Sequence, residues 1–119
     1  MIFVTGARAS GKKTFARSLG YADADLADAT LAGGPVVFNV QDMVALTSDD
    51  EELLEELAVK EVVISTEVGS GVVPRDSQER AWREQVGRLS CALAARAETV
   101  VRMVCGIPVV LKGELGPRG

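Results

Sequence analysis

The stretch "GARASGKKT" at residues 6–14 decides how the rest of the chain is read; it follows directly on the apolar run "MIFVT". Ile2, Phe3, Val4 and Thr5 read as a short buried strand that stops at Gly6. Gly6, Gly11 and Lys12 then stand at the spacing Gly-x-x-x-x-Gly-Lys. Glycines at those places let backbone N–H groups turn inward around phosphate oxygens, and the helix that starts there aims its positive end at the anion. The lysine of such a loop reaches the terminal phosphates, and a hydroxyl on the next residue binds magnesium. Here that next residue is Lys13, with Thr14 one place later. A helix turns by about 100° per residue, so Thr14 does not take over without a shift of the loop. An ammonium at position 13 repels a divalent ion. Either it neutralises phosphate directly, or it swings out to solvent and the loop is a turn kept for folding.

Working outward, "KKTFARSLG" (12–20) places Phe15, Ala16 and Leu19 on one face, with Gly20 as a stop, and predicts a helix. The alanine-rich, acidic "YADADLADATLAGG" (21–34) reads as a short helix or a loop. "PVVFNV" (35–40) is β-branched and continuous and predicts a central strand. "SDDEELLEELA" (48–58) predicts a helix, with Ser48 and Glu51 as a capping box and Leu53, Leu54 and Leu57 on its buried face. "EVVIST" (61–66) predicts another strand, and "EVGSGVVP" (67–74) a loop. From Asp76 a long helix follows, with Asp76 and Glu79 as a variant capping box. Trp82, Val86, Leu89 and Leu93 form its apolar stripe. "TVVRMVCGIPVVLK" (99–112) reads as two strands around Gly106-Ile107-Pro108. Strand and helix alternate, which predicts an α/β fold: a mostly parallel sheet flanked by helices, closed by an antiparallel C-terminal strand pair. With no repeat and no dividing linker, residues 1–119 read as a single P-loop α/β domain.

Composition narrows the partners. The chain has 119 residues and a net charge of −4, which speaks against nucleic acid. No apolar run approaches the ~20 residues of a membrane span, and the N-terminus lacks the pattern of a signal peptide. Cys91 and Cys105 sit in apolar contexts and read as buried free thiols of a reducing, cytoplasmic compartment. There is no histidine, which removes imidazole bases, nucleophiles and metal ligands from consideration.

A second pair of motifs brings a family into view. "STEVGSGVVP" (65–74) and "RAWREQVGRL" (80–89), with "IFVTGARASGK" at the start, resemble the bifunctional adenosylcobinamide kinase/adenosylcobinamide-phosphate guanylyltransferases of cobalamin biosynthesis. Thr66 stands where the family has Asn, followed by Glu67, Val68, Gly69, Gly71, Val73 and Pro74. Arg80, Trp82, Arg83, Glu84 and Gly87 match the helix motif, with Glu84 for Asp. The resemblance covers roughly residues 1–20 and 35–112. It implies a P-loop NTPase-like fold, ATP or GTP as phosphoryl donor or ligand, adenosylcobinamide (a corrinoid) as acceptor, and a homo-oligomer.

The departures are as specific. The family is longer, and the segment missing around residues 21–34 carries the histidine that accepts GMP, so guanylyl transfer through a phosphoramidate is not expected here. Asn39 stands where the family ends its next strand with a carboxylate, although Asp42 lies three residues on. With Lys13, this speaks against an ordinary magnesium site, and no metal ligand is assigned. The candidate phosphate-binding residues are Gly6, Ala7, Arg8, Ala9, Ser10, Gly11, Lys12, Lys13 and Thr14. Lys12 and Glu67 are the candidate catalytic residues, Glu67 equally serving to cap the following loop. Asn39, Arg80 and Arg83 are candidate substrate or phosphate contacts, the two arginines equally forming a solvated face paired with Glu79 and Glu84. Trp82 reads as core or subunit interface. Two functions stay open: a cobinamide kinase-like phosphotransferase, or a non-catalytic nucleotide- or corrinoid-binding module acting through oligomer or partner assembly.

Overall fold

The computed structural model describes residues 1–44, 50–68 and 76–115. Its centre is a six-stranded sheet in the order β2-β3-β4-β1-β5-β6, where β1 is Ile2–Gly6, β2 Leu26–Asp28, β3 Val36–Phe38, β4 Val62–Thr66, β5 Thr99–Val104 and β6 Ile107–Lys112. All neighbours are parallel except β5 and β6. Four helices accompany them: α1 Lys12–Ser18, α2 Val40–Met43, α3 Asp50–Ala58 and α4 Ser77–Arg96. This is the mostly parallel, helix-flanked sheet with an antiparallel closing pair that the alternating pattern predicts.

Side chains alternate across the strands and sort into two apolar layers. Phe3, Val37, Val63 and Val100 point to one face, where they meet Leu53 and Leu57 of α3 and Val86, Leu89 and Leu93 of α4. Val4, Val36, Val62, Ile64 and Val101 point to the other, against Phe15 and Ala16 of α1. Strands buried on both faces need the unbroken β-branched runs seen here. Asp76 caps α4 by accepting from the backbone N–H of Glu79 at 2.7 Å, and the stripe from Trp82 to Leu93 turns inward as its spacing requires.

Several expectations are corrected. The segment 21–34 holds a 3-10 turn, Asp23–Asp25, and then an edge strand, β2. Strand β3 ends at Phe38, because Asn39 takes a left-handed conformation (φ 56°) and Val40 opens α2. The turn between β5 and β6 is Cys105-Gly106, both at positive φ (50° and 80°), and Pro108 lies inside β6. A two-residue link of that kind matches the twist of a hairpin. Cys91 and Cys105 are both exposed, not buried: one lies off the apolar stripe of α4, the other at the hairpin tip. Ser48 lies outside the described residues, as does most of the loop 67–74.

The register aligns the ends that matter. Gly6 is level with Thr66 on β4 and Met103 on β5. The chain leaves β1 toward α1 on one face and leaves β4 toward α4 on the other. Between these two strands the winding changes side, and open α/β sheets bind ligands in such a crevice.

Candidate phosphate-binding cleft

The loop after β1 is folded tightly on itself. Ser10 N–H donates to the carbonyl of Ala7 at 3.2 Å, and Phe15 N–H to that of Gly11 at 2.9 Å. Ala9 (φ 59°) and Gly11 (φ 95°) hold left-handed conformations. At Gly6 the constraint is space: a Cβ there would sit 2.5 Å from Ser10 Oγ and 2.8 Å from the main-chain oxygen of Met103. The tip of the β5–β6 hairpin supports the loop from outside, because Gly106 N–H donates to the carbonyl of Ser10 at 3.0 Å.

A cleft of about 380 Å³ opens over this loop, and every residue from Arg8 to Thr14 lines it, together with Arg17, Phe38, Asn39, Ile64 and Thr66. Gly6 and Ala7 form the loop's base. Lys12 is buried and curls back over the loop, its Nζ donating to the Ala7 carbonyl at 2.6 Å and to Ser10 Oγ at 3.4 Å. Burial lowers its pKa below the usual lysine value, and the negative charge of Glu67 works against that shift. Lys13 is exposed, and its Nζ lies 4.8 Å from the centre of the Phe38 ring. Arg17, one turn further along α1, is tied to Asp23 at 2.6 Å.

A second cleft, about 340 Å³, adjoins the first and shares Arg8, Asn39 and Thr66 with it; Gln41, Asp42, Val68 and Trp82 complete its lining. A chain of polar contacts shapes the shared wall. Asn39 Nδ2 donates to Asp28 at 2.8 Å, Gln41 Nε2 donates to Asn39 Oδ1 at 3.3 Å, and Gln41 Oε1 accepts from Thr66 N–H at 3.0 Å. Trp82 packs against the core and donates its indole N–H to the Gln41 carbonyl at 3.1 Å. Side-chain amides and hydroxyls arranged this way suit an uncharged polar ligand portion beside an anionic one.

Not every candidate comes to the loop. Glu67, at the end of β4, forms a two-point ion pair with Arg102 of β5 (2.7 and 3.1 Å) and lines a third hollow with Thr5, Val68, Val86, Gly87 and Ser90. Arg83 pairs with Glu79 one helical turn away at 2.9 Å. Arg80 is exposed on α4. Neither arginine lines the loop cleft among the described residues. Sequence reading missed Arg17, Phe38 and Gln41. The spacing of Lys13 and Arg17, four residues on a predicted helix, was a usable signal for the first. Phe38 and Gln41 carried none, because their role depends on where β3 ends.

A family model described as cobinamide kinase / cobinamide phosphate guanyltransferase matches residues 24–111. The chain belongs to that family. Among curated proteins, it is 40% identical over 72 residues to the bifunctional adenosylcobalamin biosynthesis protein CobP of Pseudomonas aeruginosa, covering 58% of this chain and 42% of the relative. It is 42% identical over 53 residues to the bifunctional adenosylcobalamin biosynthesis protein CobU of Salmonella typhimurium, covering 44% of this chain and 29% of the relative. The chain thus aligns with less than half the length of these relatives. The loop at residues 6–14 precedes the range matched by the family model, so its reading rests on its own spacing and geometry. No helix among the described residues is long and apolar enough to cross a membrane.

Proposed function

We propose that this chain is a nucleotide-binding member of the cobinamide kinase family that holds the phosphates of ATP or GTP on residues 6–14. The observation that carries this reading is the charge of the cleft: Arg8, Lys12, Lys13 and Arg17 line it, and among the described residues no carboxylate does. A concave site with cations on its wall favours a polyanion. Calorimetric titration of ATP and GTP tests it. Saturable binding that is lost in Lys12→Ala supports the site, and absence of binding to the wild-type chain refutes it.

The second reading is phosphoryl transfer to the aminopropanol hydroxyl of adenosylcobinamide, and the adjoining cleft favours it. Phosphates on the loop would face an acceptor lodged beside Asn39, Thr66 and Trp82, across the wall the two clefts share. The hydroxyl oxygen would attack the γ-phosphorus, the bond to the β-phosphate oxygen would break, and the nucleoside diphosphate would leave. Asp42 lines the acceptor cleft and is the carboxylate placed to take the hydroxyl proton. In this scheme Glu67, held by Arg102, acts on the site through its charge on Lys12. Positioning and charge neutralisation dominate such reactions, and a cation-lined cleft supplies both. Without a histidine in the chain, guanylyl transfer through an imidazole-linked intermediate is outside the proposal. Product formation from ATP and cobinamide, followed by chromatography, distinguishes the binding module from the kinase.

Self-association and residues 1–119 acting as a single domain are part of the same proposal. Strand β6 is an edge whose Ile107 and Leu111 are 64% and 60% exposed. Edges of this kind pair readily with another chain, and sedimentation at several protein concentrations measures it.

A further inference from the structure

Phosphate loops of this spacing ordinarily work with magnesium, held by a hydroxyl beside the loop lysine and by a carboxylate from a neighbouring strand. The residues present do not fit that ion. The hydroxyl position is Lys13, and the residues lining the cleft comprise four cationic side chains and no carboxylate. The nearby carboxylates are engaged or turned elsewhere. Asp23 holds Arg17, Asp28 accepts from Asn39, Glu67 is bound by Arg102, and Asp42 lines only the adjoining cleft. Among the described residues, no group of three or more potential ligands (His, Cys, Asp or Glu) is placed to hold a metal ion.

Lys13 also has an aromatic neighbour. Its ammonium lies over the Phe38 ring, 4.8 Å from its centre, and both side chains line the cleft. A cation held by an aromatic face spans the opening between α1 and β3. We propose that the Lys13 ammonium, steadied by Phe38, stands in for the divalent cation, so that the cleft takes a polyphosphate in its metal-free form. The proposal rests on the reading of the cleft as a polyphosphate site and makes it more specific. Lys13 becomes the residue that chooses between the free anion and its magnesium complex. A doubly charged ion arriving with the phosphates would meet Lys12 and Lys13, with no carboxylate among the described residues that line the same cleft.

The test is calorimetry of ATP and of inorganic pyrophosphate against the intact chain, in EDTA and in excess magnesium. Wild type should bind both probes in EDTA at least as tightly as in magnesium. Lys13→Ser should weaken binding in EDTA by about tenfold, the loss of one close charge contact or about 1.4 kcal/mol. Phe38→Leu should weaken binding in EDTA by about two- to fivefold, the range for a lost cation–π contact. Lys13 is exposed, so its replacement leaves the core intact, and a thermal melt of each variant verifies that. Binding by wild type only in magnesium overturns the proposal while leaving the phosphate site standing. So does an affinity in EDTA that Lys13→Ser leaves unchanged. No binding under either condition overturns the site itself and this proposal with it.

Discussion

Replacing Gly6 by alanine tests the packing under the phosphate loop. The added methyl would lie 2.5 Å from Ser10 Oγ, 2.8 Å from the Met103 main-chain oxygen and 3.2 Å from Met103 Cβ. Ser10 can rotate away, at the cost of its contact with Lys12 Nζ. Met103 cannot withdraw as easily, because β5 is paired on both sides, with Gly6 opposite Met103 on one and Pro108 opposite it on the other. Overpacking at one such place costs about 1–3 kcal/mol. For 119 residues, an unfolding entropy of about 2.1 cal/mol/K per residue gives about 0.25 kcal/mol/K, so Tm should fall by about 4–12 °C. ATP binding should weaken as well, because the Ser10 hydroxyl, one of the two groups that accept from Lys12, is displaced. Differential scanning calorimetry reads the first effect and titration calorimetry the second. The double variant Gly6→Ala, Ser10→Ala should recover part of the lost Tm, since one of the two close oxygens is gone. An unchanged Tm with unchanged ATP affinity would refute the reasoning.

Three further outcomes follow from the same structure. Gly87 lies in α4, where a Cβ meets nothing within 4 Å, so Gly87→Ala should raise stability by about 1 kcal/mol, read as a higher denaturant midpoint. Lys12 has a pKa lowered from 10.5, so nucleotide affinity should fall with rising pH before 10.5, as the buried ammonium loses its proton. Between that lowered pKa and 10.5 the unfolded chain binds more protons than the folded one, so this group's contribution to stability rises with pH there; a stability profile of wild type against Lys12→Met checks the sign. Glu67→Gln removes a charge that favours the protonated lysine, so the alkaline loss of affinity should begin at lower pH; a limb that stays in place would show that the Glu67 charge does not reach Lys12. Because Arg102 is half exposed, the same variant should change stability little.

Much of the architecture could be read from local pattern. The runs that became β1, β4 and β5 are β-branched and buried on both faces. The stripe of α4 and its Asp76 cap are visible in spacing alone. Strand β2 was not legible, because three residues at a sheet edge carry no periodicity, and an alanine- and aspartate-rich segment has weak strand propensity. It forms because β3 offers it a partner. Asn39 ends β3 early through a left-handed backbone that asparagine tolerates, a choice set by its contact with Asp28 rather than by its neighbours in sequence. The tight turn at residues 6–14 was legible because its geometry is local. The Glu67–Arg102 pair was not, since the partners lie 35 positions apart and meet only once β1 is inserted between their strands. The exposure of Cys91 was implicit in the α4 stripe: it lies two residues beyond Leu89, on the opposite side of the helix.

The bond from Gly106 to Ser10 ties the C-terminal hairpin to the candidate anion site. The outermost strand of the sheet, with its apolar and unpaired margin, is connected through one tight bend to the amides that would grip phosphate. Whatever stiffens that margin stiffens the grip, and whatever peels it away releases one wall of the loop. In hydrogen exchange, an occupied cleft should therefore slow the amides at the hairpin tip, which is far in sequence from the residues that line the cleft.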